Sequence, residues 1–192
     1  MIKLMRAEWM KMRRLCLVLP VLASTLLLGM SGGLWLMNYR EGPGGMFSIF
    51  SVQYFFLSMT MMLSITILAS VTASAEHEAA GWKLLCALPV SKPKMLVSKF
   101  IVVFLLAAME ALLIAAGTLV MWKLASNEPV PWDMLIKQPL YCLLAAAAFA
   151  SIQVWLSAVC PNQSIPIGLG VVGSVSGLFL ARSSWEVVHY LP

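Results

Sequence analysis

Five apolar runs dominate this sequence, at residues 15–37, 47–73, 100–121, 135–160 and 165–181. About 20 helical residues cross the hydrocarbon core of a bilayer, with a working range of roughly 17–25; the fifth run is barely long enough. A segment inside lipid must satisfy its own backbone hydrogen bonds, so each run is predicted as a helix. The composition agrees: 61% of the 192 residues are hydrophobic, only 11% are charged, and the mean hydropathy is +0.90. Soluble domains are about 45–50% apolar and ~25% charged, and one soluble core could not hide so much apolar surface. The expected fold class is therefore an all-α polytopic membrane protein, with residues 1–192 as one transmembrane domain.

The charges set an expected orientation. The net charge is +5 and the pI about 9.2. The cations cluster beside apolar spans, which fits anionic lipid at a cytoplasmic face and not nucleic acid. Lys3, Arg6, Lys11, Arg13 and Arg14 precede the first run, and Lys83, Lys92, Lys94 and Lys99 lie between the second and third. Arg40, Lys123, Lys137 and Arg182 fall on the other side. The positive-inside bias thus makes the N-terminus and the 76–99 and 161–164 segments cytoplasmic and the 38–46 and 122–134 loops external. Trp122, Pro129, Pro131 and Trp132 give the latter the turn formers and interface aromatics of an ordinary external connector.

Residues 1–14, MIKLMRAEWMKMRR, form an expected interfacial helix. At helical spacing Ile2, Met5, Trp9, Met12 and Cys16 share one stripe, while Lys3, Lys11 and Arg14 lie opposite and Arg6 and Arg13 flank it. Glu8, Trp9, Lys11, Arg13 and Arg14 are the residues of this helix expected to meet headgroups. The competing reading is the basic region of a signal peptide, but the following apolar run is about twice the usual length and lacks a clear small-residue cleavage site. Cys16, Cys86, Cys142 and Cys160 contain no CxxC pair and imply no disulfide. His77 and His189 are expected on opposite sides of the membrane, which argues against zinc.

No catalytic set is visible. There is no GxxxxGK[ST] loop and no HExxH, so no nucleotide hydrolysis is expected from this chain itself. Glu110 is the one carboxylate at mid-membrane depth, where an ionisable group by default marks function or an interhelical partner. Ser64, Thr66 and Gln153 are its candidate partners. The second run carries Ser58, Thr60, Ser64, Thr66, Ser70 and Thr72; the fifth carries Gly168, Gly170, Gly173 and Gly177. Small residues let helices approach closely, within the chain or across a dimer.

The segment EHEAAGWKLLCALPVSKPKMLVSKF (76–100) stands apart. Trp82, Leu85 and Leu88 recur every third position beside Lys83, forming a short apolar edge. Pro89 ends that helix, Ser91 can cap a second, and Pro93 sits in its first turn. Helix, break, helix makes a protruding elbow. A solvated loop kept basic for topology is the bland reading; the apolar edge argues instead for a partner surface.

The order of these features resembles the permease subunits of type-2 ABC exporters, and is most similar to the lantibiotic-immunity permeases. The resemblance rests on AEWMKMRR (7–14), on the acidic Glu76 and Glu78 followed by Trp82-Lys83, the Leu88-Pro89 break and the basic 92–99 stretch, and on CPNQSIPIGLGVVG (160–173) as the turn into the fifth span. It covers nearly the whole chain. It implies a separate cytosolic ATPase that binds the ATP and magnesium, with no cofactor held by this chain, and a second permease or a second copy as partner. It also implies a coupling helix formed by Glu78, Gly81, Trp82, Lys83, Leu85, Leu88 and Pro89, and expulsion of a hydrophobic antimicrobial peptide from the membrane. Such permeases usually have six spans, so a chain ending at Leu191-Pro192 after five is expected to lack one. Two other classes fit the residues: a proton-driven transporter centred on Glu110, and a membrane scaffold with no transport role.

Overall fold

The computed structural model describes residues 14–38, 45–78, 92–126 and 128–182. They form five helices and a single 3-10 turn: α1 (Arg14–Asn38), the turn Gly45–Phe47, α2 (Ser48–Glu78), α3 (Lys92–Ala125), α4 (Trp132–Val159) and α5 (Ser164–Arg182). No strand occurs among the described residues. Four helices are long and apolar enough to cross a membrane, over Cys16–Met37, Gly45–Ser74, Pro93–Ala125 and Trp132–Val159. The chain is an all-α, multi-pass membrane protein. The 19 residues of α5 rise about 28 Å, close to the ~30 Å hydrocarbon core.

The third helix departs from the expected 100–121 span at both ends. Lys92, Lys94 and Lys99 belong to the helix that Ser91 and Pro93 are expected to open, which runs without a break into the 100–121 span, and Trp122, expected in an external connector, also lies in α3. Charge does not break a helix whose backbone bonds continue, and Pro93 is tolerated because a first-turn residue has no intrahelical N–H bond to lose. The 34 residues of α3 reach about 51 Å and the 31 of α2 about 46 Å, so both exceed the hydrocarbon core.

The turn between α4 and α5 is tightly built. Gln163 Nε2 donates to the carbonyls of Ser157 (3.1 Å) and Cys160 (2.8 Å), satisfying acceptors at the end of α4, and Asn162 Oδ1 accepts the Ser164 N–H at 3.0 Å to start α5. At the opposite end of the bundle, Trp122 is fully buried and its Nε1 donates to the Glu128 carbonyl at 3.2 Å. Its ring meets Phe47 edge-on at 5.0 Å and lies 5.7 Å from Phe50. Trp35, Met46, Ile49 and Leu135 complete this apolar cap. Gly45, at φ +48°, lends its carbonyl to both Trp35 Nε1 and Ser48 Oγ.

Helix α2 is the hub and packs against each of the other four. From Ser64 to Ser70 every residue except Ile67 is buried, as a helix enclosed on all sides requires. Contacts fix the directions. Leu28 of α1 meets Gly117 of α3, and Gly32 of α1 meets Met121 of α3, so α1 and α3 run parallel. Helices α2 and α4 also run parallel, paired at Phe50–Gln138 and Ser70–Ser157 with offsets of 88 and 87 residues. Helices α2 and α3 run antiparallel. One end of the bundle therefore gathers the start of α1, the end of α2, the start of α3 and the α4–α5 turn.

Glycine sets the closest approach. A Cβ on Gly170 of α5 would collide with the Thr66 side chain of α2 down to its Cβ, whereas one on Gly168 would meet nothing within 4 Å. Gly170→Ala should therefore lower the melting temperature of the solubilised protein, at a cost of about 1–3 kcal/mol for overpacking. Gly168→Ala should be neutral or slightly stabilising, since alanine favours a helix by ~1 kcal/mol over glycine. Equal melting temperatures for the two variants would contradict this packing.

Candidate functional site

The expected coupling residues Gly81, Trp82, Lys83, Leu85, Leu88 and Pro89 lie outside the described residues, as do Glu8, Trp9, Lys11 and Arg13 of the expected interfacial helix. Glu78 closes α2 and Arg14 opens α1, and only their backbone positions are described. What surrounds the 79–91 segment is nevertheless defined: it joins the end of the hub helix to the start of its antiparallel neighbour.

Those two helices are tied by polar side chains in an interface that is otherwise apolar. At mid-length, Ser64 Oγ donates to Glu110 Oε1 at 3.0 Å, and both residues are buried. Toward the far end, Gln53 Nε2 donates to Thr118 Oγ1 at 2.8 Å, and Thr118 passes its own proton to the Ile114 carbonyl. Toward the 79–91 end, Lys99 Nζ donates to the Thr72 carbonyl at 3.4 Å. As the residue number falls on α2 it rises on α3, so one register satisfies all three. On α3, Lys99, Val103, Leu106, Glu110 and Ile114 form a single buried stripe at helical spacing.

Glu110 is fully buried, and its Oε2 has no hydrogen-bond partner among the described residues. Of its three candidate partners, only Ser64 reaches it. Thr66 Oγ1 turns back to the Met62 carbonyl at 2.8 Å, and Gln153 Nε2 crosses to α5, donating to the Pro166 carbonyl at 2.7 Å. Thr60 and Thr72 likewise bond their own helix. Cys142 of α4 lies within electrostatic reach of Glu110. Cys142 and Cys160 are half-buried free thiols, and Cys16 is buried. Of the glycines in α5, Gly170 packs on α2, Gly173 approaches Phe149 of α4, and Gly168 is open.

Three participants escaped the sequence reading. Lys99, Gln53 and Gln138 are not among the residues the sequence singles out as interhelical partners, although Gln138 Nε2 crosses to the Phe50 carbonyl at 3.0 Å. A signal existed in the spacing. Lys99 precedes Glu110 by three helical turns and Gln53 precedes Ser64 by the same interval, which places each pair on one face. The seam joins α2 to α3 and leaves one buried carboxyl oxygen, Glu110 Oε2, without a hydrogen-bond partner among the described residues. Among the described residues no group of three His, Cys, Asp or Glu side chains is placed to hold a metal ion.

A family model described as "ABC-2 family transporter protein" matches residues 4–177. The chain belongs to the ABC-2 transporter family and is an ABC transporter permease, a membrane component that works with an ATPase subunit. No curated protein and no solved structure matches it.

The Ser64–Glu110 tie is measurable apart from any activity. A double-mutant cycle with Ser64→Ala and Glu110→Ala, read as unfolding free energy in detergent, should return a coupling of about 0.6 kcal/mol, the usual size for membrane hydrogen bonds, with an upper bound of ~1.7. Additive losses would show that the two side chains do not support one another.

Proposed function

We propose that this permease carries hydrophobic antimicrobial peptides of the lantibiotic class out of the membrane, and that the 79–91 segment is the surface its ATPase grips. The observation that carries the mechanical part is the position of that segment. It continues directly from α2, the one helix packed against all four others, and leads into α3, which is tied to α2 along its length. A force applied there reaches the whole bundle through a single helix.

In this reading the N-terminus and the 76–99 segment are cytoplasmic, as the clustering of nine of the thirteen cations at those places favours. ATP binding closes the ATPase dimer. Closure moves the permease only if the elbow makes different contacts in the two states, and Trp82, Leu85 and Leu88 supply an apolar edge able to do so. Glu78, Gly81, Lys83 and Pro89 complete the elbow. The residues at 1–14 lie on the lipid surface beside it. A second permease, or a second copy of this chain, completes the pathway, and ATP hydrolysis is confined to the partner. The peptide substrate is supported by the likeness of 76–100 and 160–173 to the lantibiotic-immunity permeases.

Trp82→Ala combined with Leu85→Ala is expected to abolish co-purification of the ATPase while membrane insertion is unchanged. Normal recovery of the ATPase with that variant would remove the elbow from the interface. Deleting the chain should sensitise its host to a lantibiotic, with protection restored by Glu110→Gln; a deletion strain of unaltered resistance would exclude the peptide substrate. Failure of Glu110→Gln whether or not the ATPase is present would point to proton-driven transport.

A further inference from the structure

Lysine is almost never fully buried unless something inside receives its charge, yet Lys99 is only 3% exposed. A free route to solvent existed: Lys94 and Val97, on the same turns of α3, are exposed. A lysine near a membrane surface usually snorkels outward along its flexible stem. This one turns inward on a face of α3 where Met95, Ser98, Val102 and Val103 are also buried, and its Nζ reaches across to the Thr72 carbonyl of α2 at 3.4 Å. The α2 residues on either side of Thr72 toward the bundle, Ala69 and Ala73, are small and buried. The Thr72 hydroxyl donates to its own helix, with the carbonyls of Leu68 and Ala69 each 2.9 Å away.

The location is what gives this contact a role. Thr72 lies a turn and a half before α2 ends at Glu78, and Lys99 two turns after α3 begins at Lys92. The tie therefore sits at the base of the hairpin whose tip is the 79–91 segment. Pulling α2 and α3 apart at that base would take a buried ammonium away from its α2 carbonyl, which is disfavoured. The ties at Glu110 and Thr118 continue the joint, about 16 Å and 28 Å farther along α3.

We infer that Lys99 is a positioning residue that locks the bases of α2 and α3 into one lever, so that displacement of the 79–91 segment moves the far end of the bundle instead of opening the hairpin. The inference rests on the reading of that segment as the ATPase-binding elbow. Its test separates the two. The chain is purified with its ATPase and reconstituted in liposomes of phosphatidylethanolamine and phosphatidylglycerol, in a background where the four native cysteines are replaced. One spin-label pair at Ser74→Cys and Lys94→Cys reports the hairpin base. A single label at Tyr54→Cys, an exposed far-end position of α2, reports the response there. With Lys99 in place, trapping with ATP and vanadate should leave the base separation unchanged and alter the Tyr54→Cys spectrum. With Lys99→Met, the ATPase should remain bound and hydrolyse ATP, while the base separation widens on trapping and the far-end change is lost. Lys99→Arg, which keeps a long cationic donor, should restore both. Lys99→Gln is too short to reach Thr72 and should behave as Lys99→Met, so it serves if the methionine variant fails to fold. A Lys99→Met or Lys99→Gln complex with an unaltered base and a wild-type far-end response would overturn the lever alone. Absence of the ATPase from the unmutated complex would overturn the elbow reading and the lever with it.

Discussion

The enclosure of α2 is the constraint on which the rest of this structure depends. Four helices lie around one, and the central helix has almost no lipid-facing surface between Ser64 and Ser70. Lipid tails are as apolar as leucine, so burying more leucine would not decide which helices meet or in what register. Polar groups and steric fit do. Ser64, Gln53 and the Thr72 carbonyl each find a partner on α3, and the Phe50 carbonyl and Ser70 find theirs on α4. A slide by one turn would break several of these bonds at once.

Close packing adds a second set of fixed points. Gly32 and Gly117 let α1 and α3 interlock through Met121 and Leu28, and Gly170 admits Thr66 between α5 and α2. Proline contributes differently. Pro20 and Pro139 are buried inside α1 and α4, where each removes an N–H from the helical ladder. Neighbouring helices make such breaks tolerable in membrane proteins. The far end is closed by the aromatic cap around Trp122, while the opposite end carries the hairpin leading to the 79–91 segment.

Much of the architecture was legible in the sequence because hydrocarbon imposes a length and a polarity that few other environments require. The apolar runs, the all-α class and the mid-membrane position of Glu110 with Ser64 as a candidate partner all follow from that. Helix ends were less legible. Ser91 and Pro93 signal the helix that carries Lys94 and Lys99, but not that it runs unbroken into the apolar span or that Lys99 is sheltered against the neighbouring helix, because cations are costly in lipid unless a partner receives them. Trp122 read as an interface aromatic for a similar reason; its indole N–H is satisfied by the Glu128 carbonyl, which lets the ring go fully inside. Which of several serines and threonines cross between helices could not be read from spacing alone, since Thr60, Thr66 and Thr72 all satisfy themselves on α2.

The central functional claim is that a separate ATPase drives this bundle. It is tested most directly by affinity capture of the intact chain from detergent-solubilised native membranes, followed by mass spectrometry and an ATP-hydrolysis assay of the eluate. The account predicts a soluble subunit bearing Walker motifs, recovered in fixed proportion to the permease, with vanadate-sensitive ATPase activity. Recovery of the folded permease with no such subunit and no ATP hydrolysis would contradict it.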